Sequence, residues 1–97
     1  MHIHLEPIAD STFIGRGYDV PDGYNQRLPF RLVFVGLVVD PEEVYLCGAL
    51  RREGIGLRPS DLQDIARELI AHGYKRASVE RHGRKKVWHL DRRLTEI

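Results

Sequence analysis

A short glycine-containing segment is the part of the sequence whose residue types and spacing best suit chemistry. Residues 51–56, Arg-Arg-Glu-Gly-Ile-Gly, lie between an apolar strand-like run and an amphipathic helix-like run. At such a turn the backbone N–H groups are exposed, and the positive end of the following helix dipole faces the same point. Both features attract an anion such as a phosphate. Paired glycines also mark ordinary strand-to-helix turns, so the spacing alone leaves a purely structural role open.

A basic run near the C-terminus is the second candidate. The period-two pattern places it on a hairpin that ends at Leu90. Positive side chains on a hairpin can follow a phosphate backbone, and an aromatic ring can stack on a base. The predicted contacts to nucleic acid or to a partner protein are Arg81, Arg84, Lys85, Lys86 and Trp88. Packing of Trp88 in the core or at the sheet edge is the competing interpretation, and it is the more frequent role of a tryptophan.

The remaining chemically capable residues give weaker signals. Tyr18 and Tyr24 fall in a glycine-rich stretch, where they either contact a partner protein or pin the stretch to the body of the protein. Cys47 lies in an apolar run and is predicted to be a small core residue. As the chain's one cysteine, it excludes an intrachain disulfide and a cysteine-rich zinc site. His2 and His4 are predicted to be flexible terminal residues, so no metal site is predicted.

The charge distribution is uneven, although the net charge is only +1 at pH 7. From Tyr74 onward eight basic residues stand against three acidic ones, so this end carries +5 and the rest of the chain −4. A basic end suits phosphate, nucleic acid or an acidic protein, or it simply keeps a small sheet soluble. The 97 residues predict one domain over 1–97. No apolar run has the length of a membrane span, and no leader pattern is seen, so we predict a cytoplasmic protein without membrane contact.

Hydrophobic periodicity predicts an α+β fold, with a single mostly antiparallel sheet and one amphipathic helix (61–72) packed on it. The predicted order is β-β-loop-β-β-α-β-β, with a long glycine- and proline-rich loop over residues 15–29. Residues 31–39 and 44–50 are apolar on both faces of a period-two repeat. They predict a central hairpin that is covered on both sides. Gly36, inside the first of these strands, predicts a bulge or a close backbone approach.

The helix is the clearest predicted element, because its apolar residues recur at helical spacing in one stripe. Ser60 and Gln63 have the spacing of a capping box, which makes Ser60 the predicted N-cap. Asp61 in the first turn complements the helix dipole. Gly73 is predicted to end the helix as its C′ residue.

Residues 31–80 resemble the GCN5-related N-acetyltransferase (GNAT) family, in which an Arg/Gln-x-x-Gly-x-Gly/Ala motif joins a strand to a helix. Arg51, Gly54 and Gly56 stand at the matching positions, and the surrounding order of hairpin, motif, helix and strand is similar. The resemblance implies a GNAT-like fold in which the motif turn holds the pyrophosphate of acetyl-CoA, with N-acetyl transfer as the activity. The cofactor-binding residues that it implies are Arg51, Arg52, Gly54, Ile55, Gly56 and Arg58. The family continues with a helix that bears a tyrosine general acid, whereas this chain continues with the basic hairpin.

Three functions are consistent with these features. The first is a small GNAT-like domain that binds an acyl-CoA or a similar phosphate-bearing cofactor, with or without acetyl transfer. No base is assigned, because Glu42, Glu43 and Glu53 are each typical of solvated acids. The second is a non-catalytic accessory or inhibitor module that binds a protein partner through a sheet edge, the long loop or the basic hairpin. Its edge strands also suit pairing in a homodimer. The third is nucleic-acid binding by the basic hairpin, which would fall steeply with salt.

Overall fold

Within residues 1–53, 57–81 and 83–90, which the computed structural model describes, the protein is a six-stranded sheet with a helix against one face. The elements in chain order are β1 (His2–Ala9), β2 (Thr12–Tyr18), β3 (Leu32–Asp40), β4 (Glu43–Arg51), α1 (Pro59–Ala71), β5 (Arg76–Arg81) and β6 (Arg84–His89). The strands lie side by side in chain order, and all neighbours are antiparallel except β4 and β5. The mostly antiparallel sheet with one packed helix is confirmed, and the predicted elements differ in detail. None of the described helical residues belongs to a helix long and apolar enough to span a membrane.

The core lies between α1 and the face of the sheet that the helix covers. β3 places Leu32 and Phe34 on this face, and both side chains are buried. The apolar stripe of α1 meets them with Ile65, Ala66 and Leu69. Removal of these apolar side chains from water is the main favourable contribution to folding.

Two glycines on the same face leave room for phenylalanine rings. Gly15 of β2 lies opposite Phe34, and Gly36 of β3 lies opposite Phe13. A Cβ atom added at either glycine would overlap the ring of its partner. The close approach predicted at Gly36 is therefore made by an aromatic ring rather than by another backbone.

The long loop begins later than predicted. We expected a loop over residues 15–29, but β2 extends to Tyr18 and the loop covers residues 19–31. The glycines at the start of the predicted loop weaken a strand pattern in the sequence. In the folded protein Gly15 and Gly17 are strand residues, because the side chains of neighbouring residues fill the space above them.

The prediction that the central hairpin is covered on both sides is wrong. Side chains alternate between the two faces of a strand, and on the face of β3 that points away from α1 Val33 and Val35 are half-buried while Leu37 and Val39 are exposed. Leu37 is 39% exposed and Val39 is 54% exposed, and Leu50 of β4 is 67% exposed. We name the apolar surface formed by Leu37, Val39 and Leu50 the open face.

The helix begins before the predicted N-cap. Arg58 is the N-cap residue and Pro59 the first helical residue, so Ser60, the predicted N-cap, lies inside the first turn. Proline suits that position because its fixed φ matches the helix and its missing N–H would have no partner there. The Asp61 carboxylate caps the turn by accepting a 2.8 Å hydrogen bond from the Arg58 N–H. At the other end Gly73 has φ +92°, which confirms its predicted role in ending the helix.

Candidate functional site

The two parallel strands separate soon after they pair, and a pocket opens between them. β4 and β5 are in register over three residue pairs, from Glu43 with Arg76 to Tyr45 with Ser78. Beyond Tyr45 the register with β5 ends, and a pocket of about 470 Å³ lies at this point. Its walls come from β3, β4, β5, β6, the first turns of α1 and the residue before the helix: Phe34, Tyr45, Leu46, Cys47, Gly48, Ala49, Leu57, Leu62, Ile65, Val79, Glu80 and Trp88.

A bulge in β4 lies at the point of separation. Val33 and Val35 of β3 face Leu50 and Cys47 of β4, so β4 carries one extra residue in this stretch. Gly48, within the extra stretch, has φ +62°, a left-handed conformation that glycine adopts without strain. Bulges bend the strand that carries them. We attribute the separation of β4 from β5 to this bend.

The pocket extends through the plane of the sheet. Leu46 points toward α1 and is buried, whereas Cys47 points to the opposite face and is half-buried, yet both line the pocket. Backbone groups of β4 in this stretch have no register partner on β5. The walls therefore combine apolar side chains and the Glu80 side chain with β4 backbone that has no register partner on β5. Cys47, predicted to be a core residue, is instead a wall of this pocket.

The arginine that begins the glycine-containing motif is held by acids of the chain. The Arg51 side chain is 7% exposed, and its Nη1 lies 2.5 Å from Asp61 Oδ2 on α1. Its Nη2 lies 3.2 Å from Glu53, which also accepts a 3.0 Å bond from Arg31. The hydrogen bond to Asp61 raises the pKa of Arg51. Arg51 thus joins the end of β4 to the start of α1, and the same Asp61 carboxylate occupies the helix N-terminus by capping Arg58.

The other predicted cofactor-binding residues differ in their contacts. Arg52 donates a 3.0 Å bond to the carbonyl oxygen of Phe30 and stacks over that ring, so it secures the loop. Arg58 is exposed and has no ion pair with another residue that the structure describes. Gly54, Ile55 and Gly56 lie outside the described residues. The predicted anion-binding turn therefore stays a prediction, and within the described part of the chain neither Arg52 nor Arg58 forms an ion pair with an acid.

Among the described side chains of the basic hairpin, one lysine forms an ion pair and two cations form none. Lys85 Nζ lies 3.4 Å from Glu43 Oε2, and Arg76 Nε lies 3.3 Å from Glu43 Oε1. Burial raises the pKa of Glu43, but the bonds from Arg76 and Lys85 outweigh burial and hold that pKa below its ordinary value. Arg84 and Lys86 are exposed and form no ion pair with any residue that the structure describes. Arg81, whose backbone belongs to β5, lies opposite Arg84.

The predicted aromatic contacts lie in packed positions. Trp88 is half-buried, packs against the core and lines the pocket. Tyr18 is 5% exposed and lies against Gly23 of the loop, while Tyr24 stacks on His4 with ring centroids 3.7 Å apart. Both tyrosines therefore attach the loop to the sheet. Within the ranges described, no group of three His, Cys, Asp or Glu residues could hold a metal ion.

Most residues of the pocket have no chemical signal in the sequence. Ala49, Val79 and Glu80 line it, and none of them was a candidate. The available signal was Gly48, a glycine inside an apolar strand pattern, which predicts a bulge or a close approach. The reasoning that predicts a bulge or a close approach at Gly36 applies equally to Gly48.

Comparison with known proteins identifies no relative: no family model, no curated protein and no solved structure matches this chain. The resemblance of residues 31–80 to the GNAT family therefore stays a prediction that depends on the residues of the motif and their order.

Proposed function

We propose that the protein binds an acyl-CoA or a similar phosphate-bearing cofactor, with the elongated arm of the ligand between β4 and β5. The observation that carries this proposal is the pocket between two parallel strands whose register ends at Tyr45 and Ser78. In sheets with parallel strands, ligands bind at the carboxyl ends of the strands, where neighbouring strands separate. The pocket lies at that end of both strands, beside the first turns of α1.

The walls of the pocket suit the arm of coenzyme A. That arm is a narrow chain of methylene and amide groups. Apolar side chains such as Leu57 and Val79 accommodate the methylene groups, while β4 backbone without a register partner on β5 offers amide hydrogen bonds in the manner of an added strand. The volume, about 470 Å³, is within the range of about 300–1,000 Å³ that is usual for small-molecule pockets.

Binding is proposed without a catalytic base. Transfer to an amine requires a group that accepts a proton near neutral pH. The three acids considered from the sequence are each held by a cation: Glu42 by Lys75, Glu43 by Arg76, and Glu53 by Arg31. The pKa of each carboxyl lies below its ordinary value, so all three are weak bases. Acetyl transfer therefore has no support from these residues.

Filling part of the pocket with a larger side chain should weaken cofactor binding. Ala49 lines the pocket from an exposed position of β4. An indole at this position therefore occupies part of the pocket without replacing a core residue. Titration calorimetry of the wild-type protein with CoA and acetyl-CoA should show saturable heat, and Ala49→Trp should weaken binding by about tenfold or more, a change of about 1.4 kcal/mol.

Leu50→Trp provides the matched control. Leu50 is the next residue of β4, is 67% exposed and does not line the pocket. We expect its affinity for CoA to equal that of the wild-type protein. Equal loss in both variants would assign the effect to general disturbance of β4, and absence of heat with wild-type protein at low salt would refute cofactor binding.

A second candidate is association through the open face, as a non-catalytic interaction module that forms a homodimer. The specific observation is that Leu37, Val39 and Leu50 are exposed together on one face of the central hairpin. Two apolar sheet faces pack against each other at about 10 Å, and a two-fold axis lets the same surface serve both copies.

Sedimentation equilibrium tests this second candidate. The apparent mass of the wild-type protein should rise with concentration toward that of a dimer. Leu37→Ser combined with Val39→Ser should keep the protein monomeric, because each substitution removes apolar area from the interface. Val20→Ser, at a valine of the loop that is 40% exposed, is the control. A wild-type protein that stays monomeric at every concentration contradicts the candidate.

A further inference from the structure

The positive charges of the C-terminal hairpin divide between the two faces of β6. Lys85 reaches Glu43 on the face of the sheet that points away from α1. Trp88 packs against the core on the opposite face, which α1 covers, and it lines the pocket. Because side chains alternate along a strand, Arg84 and Lys86 share the face of Trp88. Of the three adjacent cations at positions 84–86, Lys85 thus pairs with Glu43, whereas Arg84 and Lys86 lie on the pocket side.

Strand pairing places Arg84 and Lys86 beside the pocket, although neither lines it. Lys86 is paired with Val79 of β5, and Val79 is a wall of the pocket. Arg84 is paired with Arg81, the last residue of β5, beyond the point where the register with β4 ends. Both side chains are exposed, and neither has an acidic partner within the described part of the chain.

On the helix side of the pocket two arginines are engaged in contacts within the fold, and Arg58 is exposed and forms no ion pair with a described residue. Arg51 is held by Asp61 at 2.5 Å, and Arg52 donates to the carbonyl oxygen of Phe30. The Asp61 carboxylate also caps the helix N-terminus, so a phosphate there would lie beside a negative charge. Apart from Arg52, which is bonded to Phe30, the hairpin side therefore offers two cations without an acidic partner against one on the helix side, and Glu80 of β5 is the acid that lines the pocket beside them.

We infer that Arg84 and Lys86 bind the anionic end of the ligand that occupies this pocket, a phosphate group in the case of coenzyme A. The inference rests on the proposed function and adds which cations supply the charge. Phosphates accept charge-assisted hydrogen bonds from guanidinium and ammonium groups. Lys85, one residue away on the other face, takes no part.

Titration calorimetry with two probes tests the assignment. Coenzyme A carries phosphates, whereas pantetheine has the same amide-bearing arm without them. Arg84→Gln and Lys86→Gln should each weaken coenzyme A binding about fivefold, the upper range for an exposed ionic contact. Pantetheine binding should be unchanged in both. Lys85→Gln removes the same charge and is the matched control, with coenzyme A affinity expected to stay within about twofold of wild type.

The outcomes separate this inference from the proposed function. If wild-type protein binds coenzyme A and both pocket-side variants bind it equally well, the cations are misassigned while cofactor binding stands. Equal weakening in Arg84→Gln, Lys86→Gln and Lys85→Gln indicates a general effect of net charge and also overturns the assignment. If wild-type protein binds neither coenzyme A nor pantetheine, the proposed function itself fails. Loss of coenzyme A affinity in the two pocket-side variants alone supports the assignment.

Discussion

Asp61→Asn is expected to destabilise the folded protein by about 3–5 kcal/mol, the usual effect of removing one partner of a buried ion pair. Arg51 and Asp61 have side chains that are 7% and 3% exposed, and their closest atoms are 2.5 Å apart. Asparagine keeps the shape of the side chain but removes its negative charge. The guanidinium of Arg51 would then be buried against only the more exposed Glu53. The measurement is the free energy of unfolding from urea denaturation monitored by circular dichroism.

The control for Asp61→Asn is Asp64→Asn on the same helix. Asp64 pairs with Arg67, whose side chain is 59% exposed, and with the N-terminal amine. The exposed pair with Arg67 contributes about 0–1 kcal/mol, and the amine is more buried but lies 3.3 Å from Asp64 rather than 2.5 Å, so we expect a smaller loss than for Asp61→Asn.

Arg51→Met combined with Asp61→Leu separates charge from packing. Well-packed apolar residues often replace a buried ion pair with little loss of stability, so this double variant should be more stable than Asp61→Asn. If Asp61→Asn costs less than about 1 kcal/mol, the ion pair does not hold α1 against β4 in the way described.

Gly15→Ala is expected to cost about 2–3 kcal/mol, although alanine is among the smallest possible changes. The backbone of Gly15 is not in the left-handed region, so alanine adds no backbone strain. The cost comes from the new methyl group, which would overlap the Phe34 ring. Phe34 is 1% exposed and surrounded by the core, so the ring has no free space to move into. Thermal and urea unfolding of the single variant measure the loss.

A second substitution at the ring provides the internal test. Phe34→Leu alone should destabilise the protein by creating a cavity. In Gly15→Ala with Phe34→Leu the methyl group fills part of that cavity, so the two losses should not add. Strict additivity would show that Gly15 and Phe34 do not restrict each other.

Several elements of this protein followed from local sequence pattern. The apolar stripe predicted a helix over residues 61–72, and α1 spans Pro59–Ala71. Apolar runs of strand length predicted the central hairpin, and Gly73 has the positive φ angle typical of a C′ glycine. These features depend on residues within a few positions of one another. Their conformational preferences therefore act before any tertiary contact forms.

The candidate site did not follow from such patterns, because it joins residues that are distant in sequence. Local pattern predicts that Gly15 is a loop residue. A glycine is needed there because the ring of Phe34, on another strand, fills the space that a Cβ atom would occupy. Arg51 was expected to bind a phosphate, but Asp61 holds it after the chain has turned from β4 into α1. The pocket requires the parallel pairing of β4 with β5 and its early end.

Local sequence pattern was enough to predict a mostly antiparallel sheet, one amphipathic helix and the glycine at which that helix ends. The tertiary structure decided which face of the sheet is covered, where β4 and β5 separate, and which of the adjacent Lys85 and Lys86 has an acidic partner. These two neighbouring lysines have the same side chain and the same charge. They differ in the folded protein because alternation along β6 directs one to Glu43 and the other to the pocket side. Periodicity specifies that two faces exist, and only packing against the rest of the chain specifies what each face meets.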